Sequence, residues 1–529
     1  MQIRFLKATL CLLLSLLLLA GCAADGQQGI SDDSLEGSFP DGLSAEDVVN
    51  ADVTYDYLLG VKSVTKTEGT YTAAGADIEC ESDALKTRAG KLFSAGGKKI
   101  SLVIDEGFAP DGAPAAVLDQ AYKIEVGDSV KVYARSEIGL YYGAQTVSQY
   151  LKLQGGMFCG TYVDWPDVAE RTLHLDIARK YFTKDWIIDL IEDISTFKMN
   201  AIELHFSENE GFRIQCDTDP AIVSDEYLTK DEVREILAAA MELYVEVIPS
   251  FDSPGHVKQI LSVHPDYMLM DEDGYLSEKT LDITNPEAVS YMKSLLDEYA
   301  ELFKDCKKFN IGGDECFGWS NVKRMQFSAW KILEKYAKAT YGSDANAHDA
   351  FIGYINDIAA HMRAKGFEVR AWNDGLIRNY DQAEVNSADK DIGICYWTNN
   401  GTLAATVVTD FLEGGYDVYN VNEPFMYYVL KDGFEQPNAK EIYNRWHAGY
   451  FSNGDDKSSP NRFETPYEVG EQLKGAYFCI WCDHSNAQNQ DQVKNGSRSA
   501  LRAMAVKSWN YSPEVDYNTF LAQAKKTAR

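Results

Sequence analysis

The spacing of apolar positions divides the chain into two rhythms. From about Asp52 to Leu153, short stretches alternate apolar and polar residues as half-buried strands do, among them Ile100-Ser-Leu-Val-Ile104 and Tyr122-Lys-Ile-Glu-Val126. Ser129-Val-Lys-Val-Tyr133 follows a Gly-Asp turn, and Glu137 to Leu151 has helical spacing. These elements predict a small α+β domain, and nothing in it has catalytic spacing. After Trp165-Pro166 the rhythm becomes strand, helix, strand, helix. Strands are expected at Thr172–Ile177, Asn200–Phe206, Tyr244–Ile248, Lys308–Ile311, Phe367–Trp372, Ile392–Trp397, Asp417–Val421 and Ala476–Trp481. Between them lie a helix with apolar Ile187, Leu190, Ile191 and Ile194, and one opened by the capping box Thr229-Lys-Asp-Glu232. Another begins at Asn285-Pro286, and one around Phe351–Ala364 stops at Gly366. Eight strand signals alternating with helices predict a (β/α)₈ TIM barrel, with a doubly wound open sheet as the alternative.

The N-terminus carries an address. Arg4 and Lys7 precede an apolar run from about Ala8 to Ala20, which is too short to span a bilayer and has the layout of a secretory signal. Its end, Leu19-Ala20-Gly21-Cys22, resembles the bacterial lipobox, in which cleavage precedes a cysteine that is then lipidated; an ordinary signal peptide is the alternative. The Gly/Ser/Asp-rich stretch to about Leu43 reads as a tether. The expected layout is a lipoprotein signal peptide at 1–21, a flexible linker at 22–48, the small α+β domain at 49–163 and the catalytic barrel at 164–529. The expected place is the extracytoplasmic face of a bacterial membrane, held through lipid on Cys22.

Composition narrows the partners. Fifty Lys and Arg against 81 Asp and Glu give a net charge of −31, which repels phosphate backbones and argues against nucleic acid. The aromatic supply of 31 Tyr, 23 Phe and 9 Trp suits stacking on sugar rings. Ten cysteines are too scattered for a disulfide scaffold. Cys479-Ile-Trp-Cys482 has redox or metal spacing, but it sits in an apolar strand pattern with no His cluster nearby, so two buried cysteines are expected. No metal and no cofactor is called for.

In a barrel, active residues gather at the C-terminal strand ends. Those ends supply Asp176 and Arg179; His205 and Glu208-Asn209-Glu210; Asp252 and His256; and Gly312-Gly313-Asp314-Glu315. Trp372-Asn373-Asp374, Trp397, Tyr427-Tyr428, Trp481 and Asp483 complete the set. Aromatic walls enclosing carboxylates fit a neutral polyhydroxylated ring. Glycoside cleavage needs a proton donor and something to stabilise charge at the anomeric carbon. On an extended strand, adjacent Asp314 and Glu315 would point apart. Two such acids suit a reaction in which one protonates the bond and the other acts on a neighbouring substrate group.

Phe309-Asn-Ile-Gly-Gly-Asp-Glu315 resembles the catalytic strand of glycoside hydrolase family 20, the β-N-acetylhexosaminidases and lacto-N-biosidases. Arg171–Arg179, Leu204–Arg213, Ile248–His256 and Cys479–Asp483 resemble the family's barrel strands one, two, three and eight. Glu137–Val147 resembles the end of the domain that precedes its barrel. The resemblance implies catalysis assisted by the substrate's 2-acetamido oxygen, an exception to the two-carboxylate scheme. It implies that Asp314 orients the acetamido nitrogen and that Glu315, with a raised pKa, is acid and then base. Arg179 would grip the 3- and 4-hydroxyls, and Trp372, Trp397 and Trp481 would cage the acetamido methyl and the ring. Asp483 would bind outer hydroxyls, and Glu208, Asp252 and His256 would support the acid/base or serve as structural polar bonds.

Two departures stand out. Glu208 occupies a place where many members carry the shorter Asp. The tyrosine for the acetamido oxygen is Tyr427, with Tyr428 in reserve, although strict register would place Phe425 there. The expected activity is an exo-acting retaining β-N-acetylhexosaminidase on N-acetylhexosamine-containing glycans. Lacto-N-biosidase is the alternative within the family, and a non-catalytic sugar-binding lipoprotein the alternative outside it. Arg179 favours the first, because a lacto-N-biose substrate has its GlcNAc 3-hydroxyl blocked.

Overall fold

A computed structural model describes residues 58–316, 329–377, 383–398, 407–431, 433–451 and 470–527. The expected signal peptide, the expected lipobox cysteine Cys22 and the expected linker lie outside the described residues. Among those described, no helix is long and apolar enough to cross a membrane.

The first rhythm becomes a six-stranded sheet. Its strands, in spatial order, are Ser63–Tyr71, Met157–Asp164, Tyr122–Val126, Val130–Ala134, Lys98–Ile104 and Ala76–Glu79. The helix Glu137–Gln154 is capped by Ser136, whose hydroxyl accepts the Gly139 N–H, and stops at Gly155 in the left-handed region (φ +73°). It seats closely on the sheet: a Cβ at Gly143 would stand 2.3 Å from a Val132 methyl. This domain is joined to the barrel by buried polar groups. Arg171 donates to Gln120 Oε1 and to the carbonyls of Val168 and Lys198, while Lys198 Nζ donates to the Tyr122 and Thr146 hydroxyls.

The second rhythm closes into a barrel, which settles the choice against an open sheet. The parallel strands are Glu170–Asp176, Ala201–His205, Glu246–Ser253, Lys308–Gly312, Glu368–Trp372, Ile392–Tyr396, Val418–Asn420 and Leu473–Trp481. The eighth pairs with both the seventh (Val418 with Leu473) and the first (Gly475 with Glu170). These strands are buried almost throughout, as a sheet covered on one face by helices and filled on the other requires. The N-terminal end of the barrel is plugged by ions: Arg370 makes two bonds to Glu170 at 2.6 and 2.7 Å, and Lys308 bridges Glu170 and Glu246. The capping box at Thr229 and the Asn285 cap form as expected. Cys479 and Cys482 are both buried and free. The hairpin Met268–Leu281 and the helices Trp330–Tyr341, Gln490–Trp509 and Tyr517–Lys526 have no counterpart in the expected elements.

Candidate active site

The fourth barrel strand leaves the barrel wall through Gly312 and Gly313, with φ +76° and +92°. Only glycine takes these values without strain, and a Cβ on Gly312 would also meet Asp252 Oδ1 at 2.6 Å. Glu315 follows with φ +44°, a left-handed conformation unusual for a side-chain-bearing residue. This corrects the expectation that Asp314 and Glu315 diverge. The strand ends at Gly312, so its alternation no longer governs the acids, and both carboxylates turn to one atom. His256 Nε2 lies 3.5 Å from Asp314 Oδ2 and 3.4 Å from Glu315 Oε2.

A cavity of about 190 Å³ opens over these groups. Every residue expected to form the sugar site lines it except Asp252, which lies buried beneath with Oδ2 3.6 Å from His205 Nε2. Trp372, Trp481, Tyr427 and Trp397 form a continuous wall, with ring centroids 6.0, 5.8 and 6.2 Å apart in that order. Tyr427 faces the cavity, whereas the Tyr428 hydroxyl donates to Gln488 Oε1 at 2.9 Å on the other side. Phe425 is buried in the core. Arg179 sits over Trp481 and is gripped by Asp176 at 3.0 Å, Glu210 at 3.2 Å and Glu208. Glu208 Oε1 also reaches His256 Nδ1 at 2.6 Å, so one carboxylate oxygen serves both groups. Among the described residues, Asp314 Oδ1 and Trp372 Nε1 are buried without a hydrogen-bond partner, an acceptor and a donor left for a polar ligand. Glu423, Val429 and Phe434 also line the cavity and were not singled out in the sequence. They follow the seventh strand on a four-residue helix (Glu423–Met426), a three-residue strand (Tyr427–Val429) and the turn after it, elements too short to carry a periodic signal. A larger recess of about 760 Å³ lies at the opposite end of the strands, near Asn200, Glu246 and Lys307, away from these groups.

The electrostatics assign the protons. Burial disfavours a charged His256, but the Glu208 and Asp314 carboxylates outweigh it and raise the imidazole well above its usual range. Burial likewise pushes the Asp314 carboxyl up to about 7; His256 opposes this, while Asp374 and Glu315 reinforce it. Glu315 is lowered, chiefly by its interaction with His256 and against the effect of burial. A raised pKa for Glu315 was expected, and the physical reason for the reversal is the imidazolium beside it. In the open site the shared proton rests on His256. The Glu315 side chain is 37% exposed, so any ligand that filled the cavity would remove water from it, and desolvation would then favour its protonated form.

His205, Glu208 and Asp252 can each bring one atom within 4.8 Å of the others, the spacing of a cation site. Glu208 is already shared between Arg179 and His256, whose positive charges oppose a metal there.

The chain matches the family model described as glycosyl hydrolase family 20, catalytic domain, over residues 169–510. It is 30% identical over 479 residues to a lacto-N-biosidase of Bifidobacterium bifidum, covering 87% of this chain and 40% of that protein. It is 25% identical over 343 residues to β-hexosaminidase subunit A2 of Dictyostelium discoideum, covering 62% and 58% respectively. The chain thus spans only about half the length of these curated relatives. Among solved structures, a β-N-acetylhexosaminidase from Bacteroides fragilis superposes with TM-score 0.67 at 18% identity, covering 89% of this chain and 94% of that one. An exo β-N-acetylglucosaminidase from Vibrio harveyi gives TM-score 0.66 at 18% identity, covering 88% and 75%. At that identity the likeness speaks for the fold.

Proposed function

Because the chain belongs to glycosyl hydrolase family 20, we propose that it is an exo-acting, retaining β-N-acetylhexosaminidase that removes terminal GlcNAc or GalNAc from glycans. The observation that carries the reading is the Asp314–Glu315 pair turned together into a cavity walled by Trp372, Trp397, Tyr427 and Trp481. In this mechanism the substrate's acetamido oxygen attacks the anomeric carbon as the glycosidic bond breaks, and the leaving oxygen takes the proton of Glu315. Asp314 Oδ1 accepts the acetamido N–H and balances the positive charge that spreads onto the oxazolinium. Water then opens that ring and returns a proton to Glu315. Tyr427 supplies a donor to the acetamido oxygen, and Arg179 and Asp483 hold the hydroxyls at the far side of the ring. The cavity, at about 190 Å³, is smaller than the roughly 300–1,000 Å³ of sites that enclose drug-sized ligands, which favours one sugar unit over two.

The 30% identity to a lacto-N-biosidase supports a second reading, release of the disaccharide Gal-β1,3-GlcNAc. The test is product analysis on aryl glycosides of GlcNAc, GalNAc and lacto-N-biose. Free N-acetylhexosamine from the first two, with no disaccharide from the third, is the expected result. Disaccharide release alone favours the second reading, and no turnover alongside retained binding of a thiazoline mimic leaves a sugar-binding protein.

We also propose that the protein is exported and held at the membrane by lipid on Cys22, on the strength of the Leu19-Ala20-Gly21-Cys22 pattern. Wild type is then expected in the membrane fraction and Cys22→Ser in the soluble fraction. Equal membrane association of both would sink the anchor.

A further inference from the structure

Asp374 is almost fully buried on the single helical turn Asn373–Gly375 that follows the fifth barrel strand. Its two carboxylate oxygens serve two different strands. Oδ2 accepts the backbone N–H of Glu315 at 2.9 Å, and Oδ1 accepts the indole N–H of Trp397 at 3.1 Å. We infer that Asp374 is a positioning residue for the reaction proposed above, fixing the acid/base Glu315 and the cage residue Trp397 relative to one another. The inference rests on that reading of the site.

Three further features support it. First, Glu315 holds φ +44°, a conformation that persists in a non-glycine residue only when its surroundings over-determine it. The bond from Asp374 is made to the amide of that strained residue. Second, the neighbouring residue acts on the same strand end. Asn373 Oδ1 accepts the Trp397 N–H at 2.9 Å, and Asn373 Nδ2 donates to the Thr398 carbonyl at 2.8 Å. Trp397 is therefore held at both its backbone and its ring. Third, the turn itself is wedged in place. A Cβ on Gly375 would stand 2.8 Å from the Gly313 carbonyl oxygen and from the Phe351 ring, and the Gly375 carbonyl is 2.7 Å from His348 Nε2. Nothing between Gly313 and this turn can shift without disturbing the other.

A carboxylate suits this place better than an amide. Both of its oxygens accept, whereas an asparagine offers one acceptor and one donor, so it cannot serve two N–H groups. Keeping an acid here has an electrostatic consequence as well. Burial pushes Asp374 up to about 6 against the bonds from Glu315 and Trp397, and its charge is one of those that raise Asp314. The titratable groups facing Asp314 include His256, Asp374, Glu315, Glu208 and Asp252, together with the Cys316 thiol and the Tyr427 hydroxyl, and Asp374 is among those that raise it, so removing its charge lowers the Asp314 pKa.

The experiment compares wild type, Asp374→Asn and Asp374→Glu on phenyl and 2,4-dinitrophenyl β-N-acetylglucosaminides across pH. Wild-type turnover tests the proposed activity, and only the ratios between variants and wild type test this inference. Asp374→Asn is expected to lose roughly 10- to 100-fold in kcat on the phenyl glycoside, whose poor leaving group needs a well-placed acid, with KM within about threefold. On the dinitrophenyl glycoside the first step, read as the burst rate of dinitrophenolate, is expected to slow by less than about fivefold, although hydrolysis of the oxazolinium still needs Glu315 as base and slows as well. The acid limb of its pH profile moves to lower pH. Asp374→Glu keeps the charge but not the reach, so it shows the same dependence on leaving group with the acid limb unmoved. Equal slowing of the first step on both substrates, or a loss confined to KM, overturns the inference. Failure of both variants to fold, read by circular dichroism and gel filtration, assigns Asp374 to the fold and overturns it too.

Discussion

Glutamine in place of Glu315 is expected to lower kcat on phenyl β-N-acetylglucosaminide by about 10²–10⁴-fold, the range a positioned proton donor supplies. The substitution keeps the size of the side chain and its hydrogen-bonding edge, so a thiazoline mimic of the oxazolinium should bind within about threefold of wild type. What is lost is a proton that can be transferred. A 2,4-dinitrophenyl leaving group departs without one, so the first step recovers on that substrate. The second does not, because water attacking the oxazolinium still lacks its base. Rapid-mixing measurements should therefore show a burst of dinitrophenolate followed by slow turnover. A variant that turns over the phenyl glycoside at the wild-type rate would refute the assignment of Glu315 as acid/base.

What the sequence makes legible, and what it hides, follows from the range of each interaction. The cap at Thr229 and the strand at Ile392 are local: a hydroxyl and a carboxylate three residues apart, and a run of apolar residues between turns. The helix Gln490–Trp509 is longer than either, yet its first half is polar, and its apolar face shows only once it packs against the eighth strand and the helix Lys184–Ser195. In the site, residue identities could be read but directions could not. Tyr428 stands in reserve behind Tyr427 until Tyr427–Val429 pairs with Cys479–Trp481, and that pairing turns Tyr427 and Val429 to the cavity and Tyr428 away. The protonation of Glu315 was misjudged for a related reason. It is set by His256, which arrives from the third strand in its own left-handed conformation (φ +58°), a contact no local pattern encodes. Asp374 was visible as a polar residue after a barrel strand, and its bonds to two other strand ends were not.

Asparagine in place of Asp314 tests the other half of the mechanism, and it carries the sharpest pH signature. In the proposed mechanism the ionised carboxylate accepts the acetamido N–H and balances the charge on the oxazolinium, which a protonated carboxyl would not. Losing such a preorganised partner costs about 10²–10³-fold in kcat. Burial, with Asp374 and Glu315, pushes the Asp314 carboxyl up to about 7 despite His256. As pH falls through that value the carboxylate is protonated and the rate declines about tenfold per unit; above it, the rate holds until the proton shared by His256 and Glu315 is lost. The direction is opposite to that expected if Asp314 were the acid, for which activity would be present below about 7 and lost above it. Asp314→Asn removes the titrating group, so its lower rate should run flat through the region where wild type bends. Its fold should not suffer, since the folded state raises this carboxyl above its ordinary value and so gains nothing from its charge at neutral pH. Urea unfolding of the variant near pH 7.5 is expected to match or exceed wild type while activity falls by at least about 100-fold. A variant that kept the acid limb near 7 would move that titration to another group, with Asp374, pushed up to about 6, the next in line.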